Sequence, residues 1–91
     1  MSLINALIIG KDDNVVVVTN QIKKGEEVIY VLDNEERVII AVEDIPIYHK
    51  VAIQDIKKGD YVKKYNEIIG QATTDIKKGM HVHCHNIESV G

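Results

Sequence analysis

A four-residue phrase, Ile-Lys-Lys-Gly, occurs three times in this chain, at residues 22–25, 56–59 and 76–79. An Asp precedes the second and third copies, and a degenerate fourth copy, Asp-Ile-Pro-Ile, occupies residues 44–47. In such a phrase the Ile suits a buried position, the lysine pair suits a solvated turn, and the Gly supplies the backbone freedom to begin a new strand. We therefore expect a chain that folds back on itself roughly every ten to twenty residues.

The segments between these turns have the composition of short β-strands. Fifteen Ile and twelve Val dominate the hydrophobic residues, and β-branched side chains are stiff at χ1 and pack well on a pleated surface. No ten-residue stretch has a 3.6-residue apolar period, so we expect at most one short helical turn. The predicted fold class is all-β, a compact or barrel-like unit of many short strands in a single domain covering residues 1–91. The predicted strands are residues 5–9, 15–18, 28–32, 37–42, 50–54, 61–63, 67–73 and 81–85.

Several turns can be predicted in more detail. Residues 33–36, Asp-Asn-Glu-Glu, lie between two strand-like runs and predict a β-hairpin with a polar tip of about four residues. Asn66 is suited to turn the chain between the next two strands, and Gly70 inside a strand indicates a bulge or a close backbone approach. Asp12 and Asp13 are interpreted as turn residues. The tail, residues 86–91, is polar and small, and we expect it to fray or to continue into a partner.

Composition and charge exclude several classes of function. The net charge is −3, with eleven basic against fourteen acidic residues, and Tyr is the only aromatic type. A nucleic-acid binder would usually have a basic excess and exposed aromatics, so nucleic acid is not an expected partner. No stretch approaches the length of a transmembrane helix and no signal peptide is visible, so no membrane association is expected. The single Cys84 rules out an internal disulfide and suits a reducing cytoplasm.

Three of the four histidines alternate near the C-terminus, as His81, His83 and His85. On a regular strand alternate side chains share a face, so the three imidazoles would point one way while Val82 and Cys84 face the core. Such a row suits a metal ion, because i and i+2 side chains can converge and neutral imidazole is a common ligand. It equally suits an anionic substrate, because imidazolium donates from both ring nitrogens.

A complete metal site within this chain is not the favoured interpretation. A structural zinc site requires four ligands, and neither a Cys pair nor a carboxylate accompanies the row. A site completed by another chain is favoured, and a plain exposed row of histidines is the alternative. His49, in the turn after Pro46, has a functional role only if the fold brings it near His83 and His85. Cys84 is a poor candidate nucleophile, because no oxyanion hole or orienting acid is evident.

Five motifs follow one another in order along the chain. They are Asp-Asp-Asn-Val-Val-Val at residues 12–17, Asp-Ile-Pro-x-x-His-Lys-Val-Ala at 44–52, Asp-Ile-Lys-Lys-Gly at 55–59, Val-Lys-Lys-Tyr-Asn-Glu-Ile-Ile-Gly-Gln-Ala at 62–72 and His-Val-His-Cys-His-Asn at 81–86. Together they resemble the SAF-type N-terminal domain, or separate small subunit, of altronate and galactarate dehydratases, a group that includes the α subunit of sulfolactate sulfo-lyase. Each motif alone is weak, but five in register are fairly specific. Tyr48 departs from the family pattern, which often has Gly before the His, and Cys84 stands where Thr is common.

The resemblance implies a β-clip fold, in which long bent hairpins fold over one another. It implies a part in a carbon–oxygen lyase (a hydro-lyase) that converts a sugar acid to a 2-keto-3-deoxy acid, using a divalent metal, iron or manganese, held mainly by a large catalytic subunit. The small chain would be inactive alone. Carried over residue by residue, the resemblance implies catalytic roles for His49, His83 and His85, and substrate binding by Lys50 and Asn86.

Two other functions remain open at this point. The chain is alternatively a non-catalytic β-clip module that recognises a sugar acid or mediates assembly, including assembly into a homo-oligomer. A stand-alone metal-binding protein using His81, His83 and His85 ranks last, because a fourth ligand is not evident. Within the lyase hypothesis, the small subunit of a sulfolactate sulfo-lyase is the alternative to a sugar-acid dehydratase.

Overall fold

The computed structural model of the protein describes residues 4–8 and 10–89. These residues form three antiparallel sheets and contain no helix, so none of them forms a helix long and apolar enough to cross a membrane. The all-β prediction is confirmed. The strands are β1 Ala6–Leu7, β2 Val15–Val18, β3 Glu27–Leu32, β4 Glu35–Ile40, β5 Lys50–Ala52, β6 Tyr61–Lys64, β7 Glu67–Ala72, β8 His81–Val82 and β9 Ile87–Glu88.

The central sheet has the strand order β1-β2-β5-β8, and the hairpins β3–β4 and β6–β7, the second extended by β9, fold against it. Two apolar clusters lie between these layers. The larger cluster joins β1, β2 and β5 to the first hairpin through residues such as Val16, Val28 and Tyr30. The smaller one joins β8 to the second hairpin through residues such as Val62 and Val82.

The repeated phrase forms the same turn each time. Ile22, Ile56 and Ile76 are buried, as is Ile45 of the degenerate copy. The turns meet in pairs, because Ile22 bridges Ile45 and Ile56 bridges Ile76. The lysines lie on the exposed side of the turns, as predicted.

The Asp that precedes Ile45, Ile56 or Ile76 caps the turn of the partner copy. The Lys24 amide donates to Asp44 Oδ1, the Lys58 amide to Asp75 Oδ1 and the Lys78 amide to Asp55 Oδ1, each at 2.9 Å. This accounts for the recurring Asp-Ile pair: the Ile fills the core and the carboxylate satisfies a backbone donor that a turn would otherwise leave to water.

The glycine of each phrase has the left-handed backbone that its turn requires, with φ of +90° at Gly25, +92° at Gly59 and +91° at Gly79. In the degenerate copy the same position is occupied by Tyr48, whose φ is 67°. The His49 amide closes this turn on the Pro46 carbonyl at 3.0 Å, as the Glu26 amide closes the first turn on Lys23. The departure noted in the sequence therefore leaves the turn geometry intact but places an aromatic residue in a conformation that favours glycine.

The first hairpin has a two-residue tip rather than the predicted four-residue one. Asp33 and Asn34 have φ of 54° and 61°, as a type I′ turn requires. The prediction was wrong because Glu35 and Glu36 continue the ladder opposite Leu32 and Val31.

The second hairpin turns at Tyr65 and Asn66 in the same way, with φ of 56° and 63°. Gly70 shows both of its predicted features. The register shifts beside it, and a Cβ there would lie 2.8 Å from the Glu88 carbonyl oxygen.

The Asp-Asp-Asn turn ties the two halves of the chain together. The buried Asp13 carboxylate accepts backbone N–H groups from Gly10, Tyr65 and Asn66 at 3.0, 2.8 and 2.8 Å. The Asn14 amide bonds the backbone of Tyr61 and Lys63 on β6. Asp13 is therefore a turn residue, as expected, and it also binds the turn of the second hairpin through long-range hydrogen bonds.

Three predictions at the chain ends need correction. The first strand is Ala6–Leu7 rather than residues 5–9, and residue 9 lies outside the described residues. The strand predicted at residues 81–85 ends at Val82, and residues 83–86 form a bend and a turn. The tail does not fray at its start, because Asn86 is buried and Ile87–Glu88 pairs with β7. The early end of the strand has the largest consequence, because the alternation of the histidines depends on it.

Candidate functional site

The pairing of β5 with β8 brings the two histidine motifs together. Lys50 lies opposite Val82 and Val51 opposite His81. His49 immediately precedes β5 and His83 immediately follows β8, so the antiparallel pairing brings His49 to the same end of the strand pair as His83, next to His81. His49 therefore lies close to His83, one of the two histidines on which its predicted role depends.

Asn86 shapes the loop that carries His83. Its Oδ1 accepts the His83 amide at 3.0 Å, its Nδ2 donates to the His81 carbonyl at 2.8 Å, and its own amide donates to the His83 carbonyl at 3.0 Å. The side chain is only 2% exposed. Asn86 lies beneath the loop and turns the chain at residues 83–86, so its amide positions the histidines from inside the protein.

Three imidazoles cluster as a result. His49 Nδ1 lies 2.8 Å from His81 Nε2. The His49 and His83 rings stack with centroids 4.3 Å apart, and one ligand atom from each of His49, His81 and His83 lies within 4.8 Å of the others. All three side chains are half-buried.

His85 and Cys84 lie differently from the alternating-strand prediction. The turn takes His85 to the exposed rim, where its ring contacts His81 at a centroid distance of 5.0 Å. Cys84 is exposed and does not face the core. Both differences have one cause, since a turn at residues 83–86 ends the two-residue periodicity on which the prediction rested.

Burial and neighbouring groups lower the pKa of His81 and His83, which favours their neutral form. Burial lowers the pKa of His81 below its ordinary value, the nearby His85 and His49 lower it further, and the Glu43 carboxylate opposes them. Burial likewise lowers the pKa of His83, with further contributions from His49, Lys50 and His85. Neutral imidazole has a free ring lone pair, which is the form that binds metals and accepts protons.

Two further residues border the cluster. Glu43 Oε2 accepts the His81 backbone amide at 2.9 Å, and so fixes the start of β8. Sequence reasoning gave Glu43 no role, because nothing in its local pattern distinguishes it from other surface carboxylates. Lys50 is half-buried beside His49, and burial, followed by the neighbouring Lys64, lowers the pKa of its ammonium.

The residues present fit a divalent transition metal. Imidazole nitrogens suit zinc, iron, copper and nickel, and three of them meet here. His83 Nδ1 is buried and makes no hydrogen bond to the described part of the chain, which is unusual for a buried polar atom. No carboxylate belongs to the group of three, which argues against a calcium or magnesium site within these residues.

A second concavity lies away from the histidines. It has a volume of about 390 Å³ and is lined by residues that include Asp12, Asp55, Asp60 and Lys63. Two of its carboxylates are already engaged, because Asp55 caps the Lys78 amide and Asp60 accepts the Lys57 amide. The histidine cluster is therefore the stronger candidate for chemistry.

The fold and the site define a small all-β domain of a known class. The chain belongs to the altronate/galactarate dehydratase SAF domain family, whose model matches residues 4–90. The resemblance inferred from the five motifs is confirmed.

Named relatives fall into two groups. The chain is 47% identical over 57 residues to the (2R)-sulfolactate sulfo-lyase subunit alpha of Paracoccus pantotrophus, covering 63% of this chain and 85% of that one. It is 38% identical over 81 residues to the protein of the same name in Chromohalobacter salexigens, covering 86% of each. It is 39% identical over 82 residues to the altronate dehydratase of Bacillus subtilis, covering 89% of this chain but only 16% of the dehydratase.

Proposed function

We propose that this chain is the small subunit, or a detached N-terminal domain, of a lyase that acts on a hydroxy acid, and that it contributes histidines to an active site completed by a large subunit. The observation that carries the proposal is the cluster of His49, His81 and His83 on the chain's own surface. The family supports the class of enzyme, because both groups of relatives bear the names of lyases.

The reaction class is α,β-elimination. A base removes the proton α to the carboxylate, the group on the β carbon departs, and the resulting enol becomes a 2-keto acid. For an altronate- or galactarate-type sugar acid the departing group is water and the product is a 2-keto-3-deoxy acid. For sulfolactate the departing group is sulfite.

This chain's residues supply part of that apparatus. His49, His81 and His83 would contribute imidazole nitrogens to a divalent metal such as iron in an active site that the large subunit completes, and the metal would polarise the leaving group. His85 and Lys50 border the cluster and would orient the substrate carboxylate as hydrogen-bond and charge partners. Asn86 positions His83 rather than touching substrate, which modifies the substrate-binding role that the resemblance implies.

A sulfolactate sulfo-lyase small subunit is the second candidate. The 47% identity over 57 residues with the alpha subunit of Paracoccus pantotrophus supports it, beside 39% identity over 82 residues with the Bacillus subtilis dehydratase. A cytoplasmic location is expected for either enzyme and agrees with the exposed, unpaired Cys84.

An exposed apolar strip supports the existence of a large partner. Val38, Ile40 and Val42 alternate along β4 and its extension, with exposed fractions of 45, 52 and 46%. The strip ends next to Glu43, which contacts the histidine cluster. A contiguous apolar surface of this kind marks a protein contact, and here it leads to the proposed active site.

The charges around the strip favour the large subunit over a second copy of this chain. The hairpin β3–β4 carries four acidic side chains and one Arg. An isologous contact between two copies would bring these acidic rims together, which is unfavourable. We therefore expect the partner surface to be apolar at its centre and basic at its rim.

The assay that tests the proposal uses a complex of this chain with a large chain from the same organism. The large chain is the one similar to the part of altronate dehydratase that this chain does not match. The complex is supplied with altronate, galactarate and sulfolactate in turn. We expect turnover of one acid and at least a roughly hundredfold loss of kcat in His49→Ala and His83→Ala, since general acid–base or metal-binding groups contribute about that much or more. Lys57→Ala, on an exposed turn, is the matched control.

Two results would contradict the proposal. Full turnover by the His49→Ala and His83→Ala complexes would reduce the chain to a non-catalytic docking module. Absence of any complex would leave a sugar-acid recognition module, which titration of the histidine resonances with the same acids would detect.

The strip is tested in the same complex by the double variant Val38→Lys, Ile40→Lys. We expect it to weaken binding of the large chain, because two lysines would face a basic rim. Ile68→Lys is the control, because Ile68 is equally exposed, at 50%, on the other hairpin. Equal binding of the large chain by both variants would refute this assignment. So would a dimer of the free chain that the double variant abolishes.

A further inference from the structure

We propose that His49, His81 and His83 form a site for one divalent first-row transition-metal ion within this chain alone, before any large subunit joins. The inference deepens the proposed function. The catalytic use of the metal rests on that function, but the binding of the metal does not. It differs from both sequence-based expectations, in which the ligands were His81, His83 and His85 and the large subunit held most of the coordination.

The spacing of the nitrogens matches a shared ion. Metal–imidazole bonds are about 2.0–2.1 Å long, so two such nitrogens on one ion lie about 2.9–3.4 Å apart. The 2.8 Å between His49 Nδ1 and His81 Nε2 is already near this range. His83 lies within 4.8 Å of both, a separation that rotation about its side-chain bonds can shorten.

A hydrogen bond between two imidazoles accounts for only part of this arrangement. It uses one nitrogen each of His49 and His81 and leaves out His83, whose buried Nδ1 has no partner in residues 4–8 and 10–89. Burying such a nitrogen without a partner is unfavourable by about 1–3 kcal/mol. A metal ion bound through Nδ1 of His83 would give this atom a partner and would also use the nitrogens of His49 and His81.

The ligands are held by packed structure. His49 follows a turn anchored by the buried Ile45. The His81 amide is bound by Glu43, and His83 is fixed by the amide of Asn86. Supporting contacts of this kind orient metal ligands and raise the affinity for the metal. A flexible row of surface histidines lacks such contacts.

The donor set also limits the ion and its use. Three nitrogen donors without a carboxylate favour zinc, iron, cobalt or nickel over magnesium or calcium. Three protein ligands leave coordination positions free, which is typical of catalytic rather than structural sites. Those positions are available to a carboxylate or hydroxyl oxygen of a hydroxy acid.

The test uses the free chain, stripped with a chelator, and Co²⁺ and Zn²⁺ as probes. We expect one Co²⁺ per chain in calorimetry, displacement by Zn²⁺, and three paramagnetically shifted imidazole N–H resonances, one from each ligand. His49→Ala should leave two such resonances and lower affinity by more than the roughly 10–100-fold that loss of a supporting contact produces. His85→Ala should keep all three resonances, because His85 is not a ligand in this arrangement. Lys57→Ala, on an exposed turn, is the control that should bind as the wild type does.

Circular dichroism and thermal unfolding show whether each variant is folded, and His49→Gln provides a polar replacement if His49→Ala does not fold. No stoichiometric binding by the folded wild type would overturn the inference, as would binding lost in His85→Ala but kept in His49→Ala. The metal-binding experiment and the lyase assay can fail independently of each other. An active complex whose small chain alone binds no metal would refute only this inference, and metal binding without lyase activity would refute only the proposed function.

Discussion

Tyr48→Gly is expected to stabilise the protein. Of the four repeated turns, the turn at Tyr48 is the one in which the residue with a left-handed backbone is not glycine. At Gly25, Gly59 and Gly79 the φ is close to +90°, and at Tyr48 it is 67°. A residue with a Cβ is disfavoured in this region by about 1–2 kcal/mol. Little packing is lost with the side chain, since Tyr48 is 71% exposed, and its backbone N–H to the Val18 carbonyl is kept.

The expected gain is smaller than the strain, because glycine also makes the unfolded chain more flexible. That entropic term is about 0.4–1 kcal/mol, which leaves a net stabilisation of roughly 0.5–1 kcal/mol. For a domain of this size the change corresponds to a rise in Tm of about 2–8 °C. Urea unfolding and calorimetry of the free chain measure both quantities.

Two matched variants make the opposite change, from glycine to alanine, at the equivalent position of other turns. Gly59→Ala introduces a Cβ where φ is +92° and no atom lies within 4 Å, so it should destabilise by about 1 kcal/mol through backbone strain alone. Gly79→Ala should be worse, because its Cβ would overlap the Ile40 carbonyl oxygen. A destabilised Tyr48→Gly together with a neutral Gly59→Ala would refute the argument from backbone strain.

Three further predictions concern residues away from this turn. Asp13→Ala deprives three backbone N–H groups of their acceptor and should lower the free energy of unfolding by about 2–4 kcal/mol in urea titrations, whereas wild-type stability would show that water replaces the carboxylate. Burial raises the pKa of Tyr30 above 10.0, with Arg37 opposing, so the folded protein holds this proton more tightly and stability should fall as pH rises through 10 and above. Tyr30→Phe should show a flatter dependence of Tm between about pH 9 and 11, and parallel curves would contradict the assignment. Asn86→Ala should cost about 1–3 kcal/mol and collapse the chemical-shift dispersion of the histidine rings in NMR spectra, because the amide no longer closes the turn at residues 83–86.

The elements that could be predicted from the sequence are those governed by local chemistry. The repeated turns form where the glycines occur, because a positive φ depends on one residue and its neighbours. The Asp caps could not be predicted in this way, because each carboxylate caps a turn 17–23 positions away in the sequence. Asn66 turns the second hairpin, and Gly70 allows the close approach of Glu88. The hairpin tip at residues 33–36 was misjudged because cross-strand pairing of Glu35 and Glu36 overrode their polar character.

The family was also accessible from the sequence, since the order of five short motifs along the chain is enough to indicate it. The histidine motifs drew attention to the correct part of the surface. Their arrangement could not be predicted, because alternation along residues 81–85 assumes a strand that the amide of Asn86 ends after Val82.

By itself the sequence determined an all-β chain of repeated turns, with isoleucines inside and lysines outside, because these follow from side-chain type and short spacing. Only the tertiary structure decided which histidines meet. The register of β5 against β8 brings His49 beside His81 across 32 positions of sequence, and a buried amide directs His83 inward and His85 to the rim. That choice depends on long-range pairing and burial, which no local pattern in the chain encodes.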